Sequence, residues 1–260
     1  MTSRRAFFGI AAAASAGFGF SAESTTGLIF PAANPTLPLD ARALYPKGVR
    51  FLTAGVDAGH TLPESLSAWS ERIKPAARRL VGEGASAIVI MAPAVSFYRG
   101  NAFNQILSDQ VAHETGVPSI TASTAAVEGL RSVRARRVAV ATVYTQEISL
   151  HLQGFLEESG FEVVAVRGLG VERFEESPAA TEGITGEDFM QFCVKVRESR
   201  PEADALLICG GHVPTLAAIV PMEKRCQIPV VSATPHSLRA GVKLAGGNWK
   251  VAGFGTLLDR

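Results

Sequence analysis

Short runs of uninterrupted apolar residues alternate along this chain with longer stretches whose apolar positions recur at helical spacing. Residues 26–30 read as a buried strand ended by Pro31, 49–54 as a second, 87–91 as a third and 118–121 as a fourth. Between them, 66–82, 101–115 and 125–132 have the spacing of helices. The order then starts again, with strands at 137–141, 161–164, 205–208 and 230–232 and helices at 146–159 and 186–199. Strands apolar at every position are buried on both faces, and helices between them predict a parallel sheet covered on both sides.

The restart is itself patterned. Val117-Pro118-Ser119-Ile120-Thr121-Ala122 parallels Ile228-Pro229-Val230-Val231-Ser232-Ala233 at an offset of 111, and the opening strand parallels 138–141 at the same offset. Ala87-Ile88-Val89-Ile90-Met91-Ala92 parallels Asp204-Ala205-Leu206-Leu207-Ile208-Cys209 at 117, a few inserted residues accounting for the difference. These matches predict an α/β protein of two pseudo-symmetric lobes, each a mostly parallel sheet flanked by helices. Lobe one is expected over 25–121 plus 234–260 and lobe two over 122–233. Strand carboxyl ends of both lobes would face a shared cleft, the usual ligand site of such sheets. The repeat puts Ala92 and Cys209 at equivalent positions on its two walls.

Composition narrows the class. The 260 residues are 47% hydrophobic and 19% charged with a net charge of +1, which suits a globular chain with a large core. No basic stripe occurs, which argues against a nucleic-acid partner. Residues 1–24 stand apart: Arg4-Arg5 followed by an Ala/Gly/Phe-rich run reads as a twin-arginine export signal and predicts a periplasmic protein. Its removal takes away Arg4, Arg5 and Glu23, leaving 23 basic and 23 acidic residues. No other segment approaches the ~18 unbroken apolar residues of a membrane span, so no membrane partner is expected after signal removal. Oligomeric state is not legible. Three cysteines, Cys193, Cys209 and Cys226, cannot all pair within one chain, and their spacing is not that of a zinc site.

Of the three, Cys209 has the most chemical setting. It ends a buried strand and is followed by Gly210-Gly211-His212. Glycines there permit backbone shapes closed to other residues and close approach of a ligand. A helix expected to start near Pro214 would add free N–H groups that attract a carboxylate. A thiol beside such an anion pocket suits proton transfer to or from the carbon next to a bound carboxylate. The plainer reading is a buried cysteine packing as a small hydrophobe. His212 is a weak candidate for orienting the thiol; Cys193 and Cys226 read as structural. Nucleotide and serine-hydrolase readings lack their motifs: no Gly-x-Gly-x-x-Gly follows the first strand, no phosphate loop occurs, and there is no Gly-x-Ser-x-Gly elbow.

Several segments then point to a family. Ser96-Phe97-Tyr98-Arg99-Gly100, Cys209-Gly210-Gly211, Pro229-Val230-Val231-Ser232 and Leu244-Ala245-Gly246-Gly247 occur in the order found in the arylmalonate decarboxylase and maleate cis-trans isomerase group of the aspartate/glutamate racemase superfamily. Leu44-Tyr45-Pro46 and Val140-Ala141-Thr142-Val143-Tyr144 fit the same comparison, so the chain resembles that group along nearly its whole length after the leader. The resemblance implies a cofactor-free decarboxylase acting on a small diacid. Its one thiol, Cys209, would protonate one face of an enediolate after CO2 leaves. Tyr144 would donate a hydroxyl and Gly210 a backbone N–H to the retained carboxylate, with Pro31, Pro93 and Ala94 also in the substrate site. No metal or organic cofactor is implied. Two-thiol racemases of the superfamily carry a second cysteine where this chain has Ala92.

The chain also departs from the pattern. Ala92-Pro93-Ala94 replaces the Gly-Thr-Ser of the decarboxylases, which removes two hydroxyl donors and one N–H. Loss of a single preorganised donor costs roughly 3 kcal/mol of transition-state stabilisation. Asp57-Ala58-Gly59-His60-Thr61 also makes the following turn more polar. Two alternatives therefore stay open: a racemase or cis-trans isomerase of the same superfamily, and an exported protein that binds a small carboxylate without turning it over. A proton-donating thiol should be largely neutral with substrate bound.

Overall fold

In the computed structural model, which describes residues 24–57, 63–171, 186–210 and 215–259 (63–68 by backbone only), the apolar runs pair into two four-stranded sheets. The first contains β1 (Ser24–Phe30), β2 (Val49–Gly55), β3 (Ala87–Ile90) and β4 (Ser119–Thr121) in the order β2-β1-β3-β4. The second contains β5 (Arg137–Tyr144), β6 (Glu162–Val171), β7 (Ala205–Cys209) and β8 (Val230–Ser232) in the order β6-β5-β7-β8. Every pairing is parallel. The strand order of one half thus repeats in the other. Registers agree as well: Ile29 pairs with Ile90, and their counterparts at the two offsets, Val140 and Leu207, pair with each other. The same offsets carry Ala92 onto Cys209, so the equivalence read from the sequence has a basis in strand pairing.

Helices among the described residues are α1 (Leu39–Leu44), α2 (Pro63–Gly82), α3 (Pro93–Phe97), α4 (Gly100–Thr115), α5 (Ala122–Ser132), α6 (Gln146–Glu158), α7 (Gly186–Glu198), α8 (Leu216–Cys226) and α9 (Ala233–Leu244). α2 and α4 cover the first sheet, while α6 and α7 cover the second. Helices α5 and α9 pack on each other, and each touches strands of both sheets. Glycines permit that approach. A Cβ on Gly241 of α9 would lie 2.4 Å from Val89 Cγ2 of β3, and one on Gly129 of α5 would lie 3.0 Å from Val231 Cγ1 of β8.

Where expectation and structure differ, the cause is local. Strand β6 runs on to Val171, well past the expected end at 164, because Gly168 lets it pass close to the Tyr144 carbonyl. Helix α1 is too short for its periodicity to register. Helix α9 carries Pro235 and Gly241, which mask its pattern; Pro235 is tolerated because it falls in the first turn. Helix α3 starts with Pro93 at its first position, where proline's missing N–H costs nothing. The export signal read over 1–24 lies outside the described residues except for Ser24, as do His60 and the Gly211-His212 turn.

Candidate active site

Two adjacent strand ends create the site. Thr142 of β5 pairs with Cys209 of β7, so the last residues of these strands emerge side by side. Strand β5 ends in a register shift between Thr142 and Tyr144. There the Tyr144 N–H donates to Thr142 Oγ1 at 3.2 Å, and Thr142 Oγ1 lies 2.7 Å from Ser149 Oγ. Thr145 caps α6 through the N–H of Ile148, which fixes where the strand stops. This turn aims the Tyr144 hydroxyl at Cys209, and it donates a hydrogen bond to the sulfur.

Both groups are deep. Cys209 is 2% exposed and Tyr144 4%, so the thiol lies inside the molecule and not at the rim of an open cleft. Burial pushes the Cys209 thiol up to about 12, opposed in part by the Tyr144 hydroxyl. Burial first, and then the sulfur, raises Tyr144 well above its ordinary value. A thiol at about 12 is neutral at physiological pH even without substrate, the state required of a proton donor. Cys193 and Cys226 are also buried and unpaired, and burial raises both. They stand near each other where α7 packs on α8, consistent with a packing role.

Gly210 is also required by packing: a Cβ there would sit 2.4 Å from Val143 Cγ2. Its φ of +154° also lies where side-chain-bearing residues are rare. The glycine lets the chain leaving β7 pass the end of β5. Its N–H remains the group proposed for a substrate carboxylate.

The opposite wall comes from the first half. Pro31 is buried just beyond β1 and Ala94 beyond β3, the latter in one cluster with Cys209 and Tyr144, whereas Ala92 packs in a separate cluster with Ile29, Ile90 and Val95. Pro93 is half-buried. Helix α3 reaches across to α6, and Phe97 at its end meets the Tyr144 ring edge-on at 6.0 Å between centroids. Phe97 is thus a direct bridge between the halves; it lies in the 96–100 segment that carries the family resemblance, which gave it no role in the site. Ser96 Oγ and Ser123 Oγ lie 2.6 Å apart, and both donate to the Pro93 carbonyl, at 2.9 and 3.2 Å. These hydroxyls are engaged with the wall itself and do not replace the donors absent at Pro93 and Ala94.

The anion pocket expected at the helix after Cys209 is also changed. Helix α8 starts at Leu216, and the N–H groups of Thr215 and Leu216 donate toward the Asp40 carboxyl. Burial raises Asp40, and those two N–H groups pull it back down. A carboxylate of the protein itself therefore occupies the helix end assigned to the substrate. Asp40 lies far from Cys209 along the chain, in a helix too short to draw notice, and sequence reasoning missed it. Two surface cavities, one between α4, α5 and α6 and one beside Ser24 and Val49, lie away from Cys209. Residues 211–214, next to the thiol in sequence, lie outside the described residues.

Comparison with known proteins gives concordant results. The family model for arylmalonate decarboxylase matches residues 26–258. Arylmalonate decarboxylase of Bordetella bronchiseptica is 37% identical over 236 residues, covering 90% of this chain and 96% of that protein. Maleate isomerase of Nocardia farcinica is 28% identical over 218 residues, covering 80% of this chain and 84% of that protein. Among solved structures, a mutant of arylmalonate decarboxylase in a sulfate-associated form superposes with a TM-score of 0.83 at 37% identity, covering 91% of this chain and all of that one. A Nocardia farcinica maleate cis-trans isomerase mutant carrying a covalently bound succinylcysteine intermediate gives 0.77 at 24% identity, covering 90% and 98%, and shares the fold.

Proposed function

The chain belongs to the arylmalonate decarboxylase family, and on that premise we propose that it decarboxylates a 2,2-disubstituted malonate without a cofactor, Cys209 supplying the proton. The observation that carries this reading is the buried, neutral thiol held by Tyr144 at the end of β7, in one apolar cluster with Ala94 and Phe97. A single acid serves one-sided protonation. It does not serve two-base racemisation.

The steps balance as follows. The bond between the α-carbon and one carboxylate breaks, its electron pair stays on the α-carbon, and CO2 leaves. The pair spreads into the retained carboxylate as an enediolate, held by the Gly210 N–H. Apolar walls from Val143, Ala94 and Phe97 favour the loss of charge at the departing carboxylate. The Cys209 S–H bond then breaks, its proton forms the new C–H bond, and the sulfur keeps the electrons as thiolate. Tyr144 stabilises that thiolate by hydrogen bonding. Water returns a proton to the sulfur and leaves hydroxide.

This role differs from the one the resemblance implies for Tyr144, which is a bond to the retained carboxylate. It fits the hydroxyl's position on the sulfur. Nucleophilic isomerisation needs a thiolate at rest, which burial of Cys209 opposes. We further propose periplasmic export through the 1–24 leader, and small carboxylates as the ligand class.

The test is incubation of the leaderless protein with 2-methyl-2-phenylmalonate in deuterium oxide. The expected result is CO2 release with one deuterium per product at the α-carbon in a single configuration, lost in Cys209→Ala. Deuterium exchange or double-bond isomerisation of diacids without CO2 release would replace the reading with the isomerase.

A further inference from the structure

The edge of the first sheet where β1 and β2 begin has a charge pattern of its own. Residues 41–56 carry Arg42, Lys47 and Arg50, and residues 233–258 carry Arg239, Lys243 and Lys250, with no aspartate or glutamate in either stretch. The whole chain has 25 basic and 24 acidic residues, so the segregation is local. The fold brings the two stretches together. Helices α1 and α9 are in contact, and the Tyr45 hydroxyl, just after α1, donates to the Trp249 carbonyl at 3.0 Å.

Trp249 gathers the cations. Arg239 Cζ lies 4.4 Å from the ring centroid, Lys243 Nζ 5.3 Å and Lys250 Nζ 5.7 Å. An aromatic face attracts an exposed cation by about 0.5–1 kcal/mol and does not neutralise it. Among the described residues, neither these three nor Lys47 forms an ion pair. Tyr45 adds no negative charge, since burial holds its hydroxyl up at about 12 against the pull of Arg239.

Beside the cluster lies a cavity of about 590 Å³. Tyr45, Val49 and Val251 give it apolar walls, and Lys47 and Lys250 also line it. That size and mixture suit a small organic ligand held by an apolar body and oriented by a few polar groups. Ser24 lines the cavity too, and its Oγ is buried with no hydrogen-bond partner among the described residues. Ser24 and Val49 are the paired first residues of β1 and β2. The seven residues of β1, at about 3.3 Å each, therefore separate this cavity from the edge of the sheet that ends at Pro31.

We propose that the cavity is a second binding site, for an aryl carboxylate: Lys47 and Lys250 hold the carboxylate, and the ring lies against Tyr45, Val49 and Val251. A carboxylate there supplies the counter-charge that the cations around Trp249 lack. The site is separate from Cys209 and does not depend on the reaction assigned to it.

The protein is labelled with 5-fluorotryptophan and titrated with 2-phenylpropionate. The chain has two tryptophans, so two fluorine resonances are expected, assigned with Trp249→Phe. Trp69 is fully buried and donates to the Val56 carbonyl at 2.8 Å, which makes its resonance the check that the fold is intact. The Trp249 resonance should shift to saturation. Lys47 and Lys250 are exposed, and the double variant Lys47→Ala/Lys250→Ala should raise Kd by about 5- to 30-fold, as loss of two exposed ion pairs gives. Lys47→Arg/Lys250→Arg should restore binding, and CO2 release should be unchanged in both. Uncharged 2-phenylpropionamide and inorganic phosphate should each bind more weakly than 2-phenylpropionate, the first for want of charge and the second for want of an apolar body.

The proposal is overturned if the Trp249 resonance does not move, or if the alanine variant binds with unchanged Kd. Phosphate binding as tightly as 2-phenylpropionate would also overturn it, because the apolar walls would then play no part. Loss of CO2 release together with binding in the alanine variant would do so as well, since the shift would then report the site at Cys209.

Discussion

Tyr144→Phe isolates the bond that the thiol depends on. The substitution removes one hydroxyl and leaves the ring that packs on Phe97 at 6.0 Å, so the wall between the halves is preserved. With the thiol at about 12, on the order of one molecule in 10^5 carries a thiolate at neutral pH. The hydroxyl is the group that opposes burial there, by donating to the ionised sulfur. Hydrogen bonds to charged groups contribute about 1.5–3 kcal/mol, so losing this one costs about 2 kcal/mol of thiolate stability. At about 1.36 kcal/mol per pKa unit, the thiol should rise by roughly 1.5 units and its thiolate fraction fall about 30-fold. If the thiolate is fully formed when the carbanion is protonated, kcat falls by the same factor of about 30. Two assays report independently: the rate of Cys209 alkylation at a fixed alkaline pH, and CO2 release under saturating substrate. Both should drop together while Tm stays within about 1 kcal/mol of stability of the unmodified protein. Faster alkylation with unchanged kcat would refute the reasoning, since the hydroxyl would then neither stabilise the thiolate nor take part in the reaction.

Acid should destabilise the protein through His236, which burial lowers to about 4, with the Ser232 backbone opposing and Arg239 adding to the shift. The unfolded chain takes up this proton below about 6.5 and the folded one only near 4, so stability is lost as pH falls through that window, by about 3 kcal/mol in all. Melting scans across the window should show this slope in the unmodified protein and a flatter one in His236→Gln. Gly210→Ala forces a methyl group to within 2.4 Å of Val143 and should cost about 1–3 kcal/mol. Chemical denaturation should show part of that loss recovered by adding Val143→Ala, and no recovery would mean that backbone strain dominates. Glu223→Ala removes acceptors from the N–H groups of Val230 and Thr256, at 3.0 and 2.9 Å, and should cost about 1–3 kcal/mol with the Cys209 alkylation rate unchanged.

Much of the architecture was legible from residues alone. Buried strands of a parallel sheet are written as contiguous Ile, Val, Leu and Ala, and Ala87–Ile90 and Ala205–Cys209 show it. The duplication was legible because both halves solve the same packing problem in the same order. Cys209 at a strand end followed by glycine was legible for a related reason: strand ends and glycines are local signals. The missed helices α1, α3 and α9 carry no such signal, being short or interrupted by proline and glycine.

The candidate site was only half legible. Local sequence placed Cys209 at the end of its strand, while β5 and β6 run past the ends expected at 141 and 164, and Tyr144 was legible only through the family resemblance. Tertiary structure decided how deep the thiol lies, that the Tyr144 hydroxyl turns to the sulfur, and that Phe97 closes the opposite wall. It also decided that Asp40, and not a substrate, meets the start of α8. The physical reason is range. Strand and helix formation depend on the spacing of neighbours a few residues apart, whereas desolvation and hydrogen bonding of a buried group depend on whatever the folded chain brings beside it, here from more than 150 residues away along the sequence.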